Sequence, residues 1–101
     1  MDLIHIGVKP EEIAMFCRKW QITEFSLFGS VLREDFHSDS DVDVLVNFSN
    51  GAAWSLWDIC DMREELQRLF GRQVDLVEKD ALRNPFRKQE ILRTHKVLYA
   101  A

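Results

Sequence analysis

Between Phe28 and Val46 the chain reads FGSVLREDFHSDSDVDVLV, and two features of this stretch could do chemistry. Asp41 and Asp43 stand one residue apart at the head of an apolar run. In an extended strand side chains alternate between faces, so Asp41, Asp43 and Leu45 fall on one side and Val42, Val44 and Val46 on the other. Two carboxylates that point the same way repel, a cost that packing alone does not offset and that a cation between them removes. Upstream sits the pair Gly29-Ser30. A glycine lets another backbone or a phosphate come close, and a serine hydroxyl at a helix start can donate to that phosphate. Each feature alone has an ordinary explanation. Acids can open a strand and solvate an exposed face, and most Gly-Ser pairs are only turns.

The elements that must position these residues follow from periodicity. Residues 24 to 28, Glu-Phe-Ser-Leu-Phe, alternate and are aromatic, which predicts a strand running into Gly29-Ser30. A short helix is expected over 31 to 35 and a polar connection over 36 to 40, where Asp35, Asp39 and His37 read as loop residues. The second strand is expected from Asp41 to Phe48, ended by Ser49-Asn50-Gly51. A long helix from about Ala53 to Phe70 follows, with Leu56, Ile59, Met62, Leu66, Leu69 and Phe70 as its buried stripe and Gly71 as its terminator. Trp54 and Trp57, near its start, are expected to be half-buried. The third strand, Gln73 to Glu78, carries Asp75 on the face of Val77, opposite Val74 and Leu76. If it lies beside the second strand, Asp75 joins Asp41 and Asp43 in a three-carboxylate cluster. The alternatives are that Asp75 meets solvent on an edge strand, or that Glu78 is the third acid.

Gly29-Ser30, ten residues, then Asp41-Val42-Asp43 resembles the signature of the nucleotidyltransferase superfamily that includes DNA polymerase beta. In so short a chain it is similar to the minimal nucleotidyltransferases, and the likeness covers nearly all of the sequence. Arg33 and Ser40 also fall where that family has an arginine and usually a serine. Glu34 departs from the pattern, standing where members often have glycine, which bears on the local turn and on substrate preference. The resemblance implies that Asp41, Asp43 and Asp75 are catalytic and hold magnesium, two ions in all, and that Gly29, Ser30, Arg33 and Ser40 bind the nucleotide. It also implies a partner, a HEPN-type ribonuclease toxin, whose tyrosine receives AMP from ATP and is silenced, with this chain as the antitoxin. A different class of function is compatible with the same residues. The chain could neutralise its partner by binding alone, using an aromatic surface such as Trp54 and Trp57, with the acids no longer catalytic.

Composition sets bounds around this. With 101 residues, 47% hydrophobic and 30% charged, a single soluble α/β domain with a small mixed sheet is expected, without room for a second. No apolar run reaches the length of a membrane span and no signal-peptide pattern opens the chain, so a cytoplasmic location is expected. The net charge of −4 argues against a domain built to grip nucleic-acid backbone, although a nucleotide substrate remains compatible. Arg83, Arg87, Lys88, Arg93 and Lys96 crowd the last fifth of the chain and read as a solvated helix face. Cys17 and Cys60 are expected to be reduced core residues. Residues 1 to 8 read as a lead-in to a first helix opened by Pro10 and buried through Ile13, Phe16, Cys17 and Trp20. Asp80 is expected to cap a turn at 81 to 83. Asn84-Pro85 opens a final helix that runs to about Leu98, buried through Ile91, Leu92, His95 and Leu98.

Overall fold

Local sequence accounts for most of the elements. A computed structural model describes residues 8–29 and 41–101. Helix α1 (Pro10–Lys19) opens on Pro10, has Glu11 and Glu12 in its first turn and Arg18 and Lys19 in its last, and buries Ile13, Phe16 and Cys17. That charge order suits the helix dipole at both ends. Strand β1 (Ile22–Phe28) leads to Gly29, and β2 (Val42–Phe48) returns antiparallel beside it. Helix α2 (Leu56–Phe70) starts at Ser55, whose hydroxyl accepts from the Asp58 N–H at 3.2 Å while the Asp58 carboxylate accepts from the Ser55 N–H at 2.9 Å. It stops at Gly71, whose left-handed backbone (φ +69) lets its N–H reach the Gln67 carbonyl. Strand β3 (Val74–Glu78), one 3₁₀ turn (Lys79–Ala81), α3 (Pro85–Thr94) and β4 (Lys96–Ala100) complete the chain.

The sheet is mixed, in the order β3-β2-β1-β4. Strands β1 and β2 are antiparallel, β1 and β4 are antiparallel, and β2 and β3 are parallel, joined across α2. One face carries the main core. Phe25 and Leu27 of β1 and Val42, Val44 and Val46 of β2 pack there with Ile13, Phe16 and Cys17 of α1 and Met62, Leu66 and Phe70 of α2. The other face carries a smaller cluster in which Ile91 of α3 packs on Phe28 and Leu45, with Val77, Leu82 and Leu92 around it. The alternation expected of β2 thus holds, with its valines on one side and Leu45 on the other.

Several expectations are corrected. The last helix ends at Thr94, and Lys96–Ala100 is a strand, pairing Tyr99 with Phe25 and Lys96 with Leu27. Val97, Leu98 and Tyr99 suit a strand, and pairing with the free edge of β1 satisfies backbone groups that another helical turn would have left exposed there. β1 begins at Ile22 rather than residue 24, α2 at Leu56 rather than residue 53, and the turn after β3 spans Lys79–Ala81 rather than 81 to 83. Leu56 is 82% exposed and Cys60 is exposed, while Cys17 is fully buried. At about 100° per residue, Leu56 lies about 120° around α2 from Met62 and Cys60 about 160°, so neither belongs to the buried stripe. Trp54 is half-buried and stacks edge-on against Trp20 at 5.1 Å, its Nε1–H donating to the Trp20 carbonyl, whereas Trp57 is 82% exposed. The short helix over 31 to 35, the connection over 36 to 40 and the start of the N-terminal lead-in lie outside the described residues.

Candidate functional site

The site is built from one row of the sheet. Phe28 pairs with Asp43 across β1 and β2, and Asp43 pairs with Asp75 across β2 and β3. Paired residues of neighbouring strands share a face, so both carboxylates project from the face that carries Phe28 and Leu45. Strand spacing puts their backbones about 4.8 Å apart. Asp41 precedes β2 by one residue and is exposed, Asp43 is half-buried, and Asp75 is exposed. Helix α3 covers this face over Leu45 and Val77, so the face is not open throughout.

Gly29 fixes how closely the turn after β1 approaches this row. Its φ is +73, the left-handed region that glycine enters without steric cost. A Cβ built on it would land on the Asp43 Oδ2, with the Asp43 Cγ only 3.2 Å away. The group that lies close to Gly29 is the Asp43 carboxylate. Ser30, Arg33, Glu34 and Ser40 lie outside the described residues.

Asp43 and Asp75 are opposed across β2 and β3, and directly opposed like charges weaken a strand pair. Both residues offer only oxygen, which suits a hard cation such as magnesium. Among the described residues no three carboxylate, imidazole or thiolate side chains form a group that could hold a metal ion. The structure sets Asp43 and Asp75 side by side, with Asp41 two residues back along the chain; the three acids do not form such a group, and Asp75 meets solvent on the edge strand β3. Magnesium is commonly held by one or two carboxylates together with substrate phosphates, and this pair fits that mode.

One polar residue on this face lies outside the sequence-based expectations. Ser26 is fully buried in the middle of β1, pairs with Leu45, and its hydroxyl has no hydrogen-bond partner among the described residues. Its signal was a hydroxyl inside an otherwise aromatic strand.

Comparison with known proteins gives a consistent answer. The profile of the nucleotidyltransferase domain family matches residues 12–98. The protein adenylyltransferase MntA of Thermococcus cleftensis is 37% identical over 70 residues, 69% of each chain. Among solved structures, a candidate minimal nucleotidyltransferase superposes with a TM-score of 0.75 at 31% identity, over 95% of both chains. A chain of the Shewanella oneidensis complex between a tri-AMPylated HEPN toxin and an MNT antitoxin superposes at 0.68 and 17% identity, over all of this chain and 74% of that one.

Proposed function

Because the chain belongs to the minimal nucleotidyltransferase family of the DNA polymerase beta-like superfamily, we propose that it moves AMP from ATP to a tyrosine hydroxyl of a HEPN-type toxin and so acts as that toxin's antitoxin. The observation that carries this reading is the row formed by Phe28, Asp43 and Asp75, with Gly29 closing on the Asp43 carboxylate. Adenylyltransferase activity is what the Thermococcus relative is named for, and an AMP-modified HEPN toxin is what the Shewanella antitoxin accompanies.

In the reaction the tyrosine oxygen forms a bond to the α-phosphorus, the bond to the β-phosphate oxygen breaks, and pyrophosphate leaves. Asp41, Asp43 and Asp75 would hold magnesium, which when bound neutralises the triphosphate and makes the attacking hydroxyl more acidic. The remaining work falls to the chain. Gly29 admits the phosphates close to the backbone, and Ser30 donates to their β and γ oxygens. Arg33 and Ser40 complete the nucleotide contacts. Asp75, exposed at the end of the row, would accept the tyrosine proton. Holding the hydroxyl in line beside the α-phosphorus supplies the rest of the acceleration.

Asp75→Asn tests the ion-holding part of this reading without needing the acceptor. The variant should lose the rise in melting temperature that magnesium with a non-hydrolysable ATP analogue gives the wild type. A variant that keeps that rise would remove Asp75 from the site.

A further inference from the structure

The row that carries Asp75, Asp43 and Phe28 continues on the far side of Phe28 from the acids. Strand β4 is antiparallel to β1 and pairs Val97 with Ser26 and Lys96 with Leu27. His95, one residue before Lys96 and still extended (φ −63, ψ 154), therefore stands opposite Phe28 and on its face, while Lys96 falls on the other face with Leu27. Strand spacing puts the His95 backbone about 5 Å from Phe28, about 10 Å from Asp43 and about 14 Å from Asp75. His95 also closes α3, whose Ile91 packs on Phe28. Its Nδ1 lies 2.8 Å from the Leu92 carbonyl oxygen. A carbonyl only accepts, so Nδ1 carries a proton and donates it, and Nε2 is the nitrogen left for another partner. His95 is half-buried, and its Nε2 makes no hydrogen bond among the described residues.

Given adenylyl transfer at the acidic row, on which this proposal rests, we infer that His95 binds the β- and γ-phosphates of the nucleotide, the part that departs as pyrophosphate, by donating from Nε2. In phosphoryl transfer the attacking and leaving oxygens are roughly in line through the phosphorus. With the hydroxyl beside Asp75 and the α-phosphate at Asp43, the leaving phosphates extend along the row towards Phe28 and His95. Phe28 has no side-chain donor to offer them, and the imidazole does. Donation from both ring nitrogens requires the charged ring, and a cation suits both the last carbonyls of α3 and the negative charge that grows on the pyrophosphate. No proton moves to or from His95 in the step, so the bonds that form and break are those of the transfer itself.

Competition titrations on the purified chain with magnesium separate phosphate binding from helix capping. A fluorescent, non-hydrolysable ATP analogue is displaced either by its unlabelled form or by AMP, and urea unfolding without nucleotide verifies the fold. His95→Asn keeps an amide N–H where Nδ1 stands, so the bond to the Leu92 carbonyl survives while Nε2 is lost. His95→Ala loses both. Each variant should bind the triphosphate analogue about ten- to a hundredfold more weakly than wild type, the worth of a hydrogen bond to a charged group. Each should bind AMP as wild type does, because AMP lacks the two phosphates concerned. Triphosphate binding by His95→Asn equal to that of wild type would overturn the inference. So would equal losses for the triphosphate and for AMP, which mean that His95 only shapes the end of α3. Both results leave adenylyl transfer standing, whereas a wild type that binds no triphosphate overturns adenylyl transfer and the role of His95 together.

Discussion

Gly29→Ala probes the contact on which the site is built. The left-handed backbone at Gly29 costs an L-residue roughly 1 to 2 kcal/mol. The new Cβ would also displace the Asp43 carboxylate, and driving a side chain off its rotamer costs about 0.5 to 1.5 kcal/mol. The substitution should therefore remove about 2 to 3 kcal/mol, roughly 10 to 20 °C of melting temperature in a domain of this size. A double-mutant cycle separates the two parts. In an Asp43→Ala background there is no carboxylate to displace, so only the backbone part should remain. The coupling between the two positions should be about 0.5 to 1.5 kcal/mol. Urea unfolding followed by tryptophan fluorescence, without magnesium, measures all four corners. Equal loss in both backgrounds would refute the close approach of Gly29 to Asp43, and no loss at all would refute the left-handed turn.

Other outcomes follow from single contacts. Ser55→Ala removes the hydroxyl that accepts from the Asp58 N–H and should lower the urea midpoint by about 1 kcal/mol of stability with an unchanged slope. Native protein should take up one maleimide, at exposed Cys60, and a second only on unfolding, since Cys17 is fully buried. Burial pushes the Cys17 thiol up from 9.0 to about 12, against a smaller opposite pull from Arg18. The folded state then holds this proton more tightly than the unfolded chain, so the stabilisation is complete below pH 9 and is lost as pH rises towards 12. The stability deficit of Cys17→Ala relative to wild type should accordingly shrink across that window, as urea titrations at stepped pH would reveal.

Much of the site could be read from the chain because it depends on alternation. Val42, Val44 and Val46 against Asp43 and Leu45 fix which face of β2 is which, and Val74 and Leu76 against Asp75 do the same for β3. A helix between two strands allows them to be parallel neighbours, and the observed pairing and register are what bring Asp75 beside Asp43. What escaped the sequence depends on tertiary partners. Lys96–Ala100 suits a helix end or a strand until the free edge of β1 selects the strand. Leu56 and Cys60 are apolar by type, yet the angle around α2, set by Met62, Leu66 and Phe70, turns both outward. The collision that reserves position 29 for glycine comes from a strand more than ten residues further on, so no local pattern carries it.

The proposed activity of the acidic row is transfer of AMP to a protein hydroxyl. Its most direct test is to incubate the chain with magnesium, ATP labelled in the α-phosphate and a HEPN-type candidate partner, comparing wild type with Asp43→Asn. Label is expected on a tyrosine of the partner, dependent on magnesium and absent with the variant. A partner that is neutralised equally by wild type and by Asp43→Asn, with no label in either case, would contradict it and leave an antitoxin that acts by binding alone.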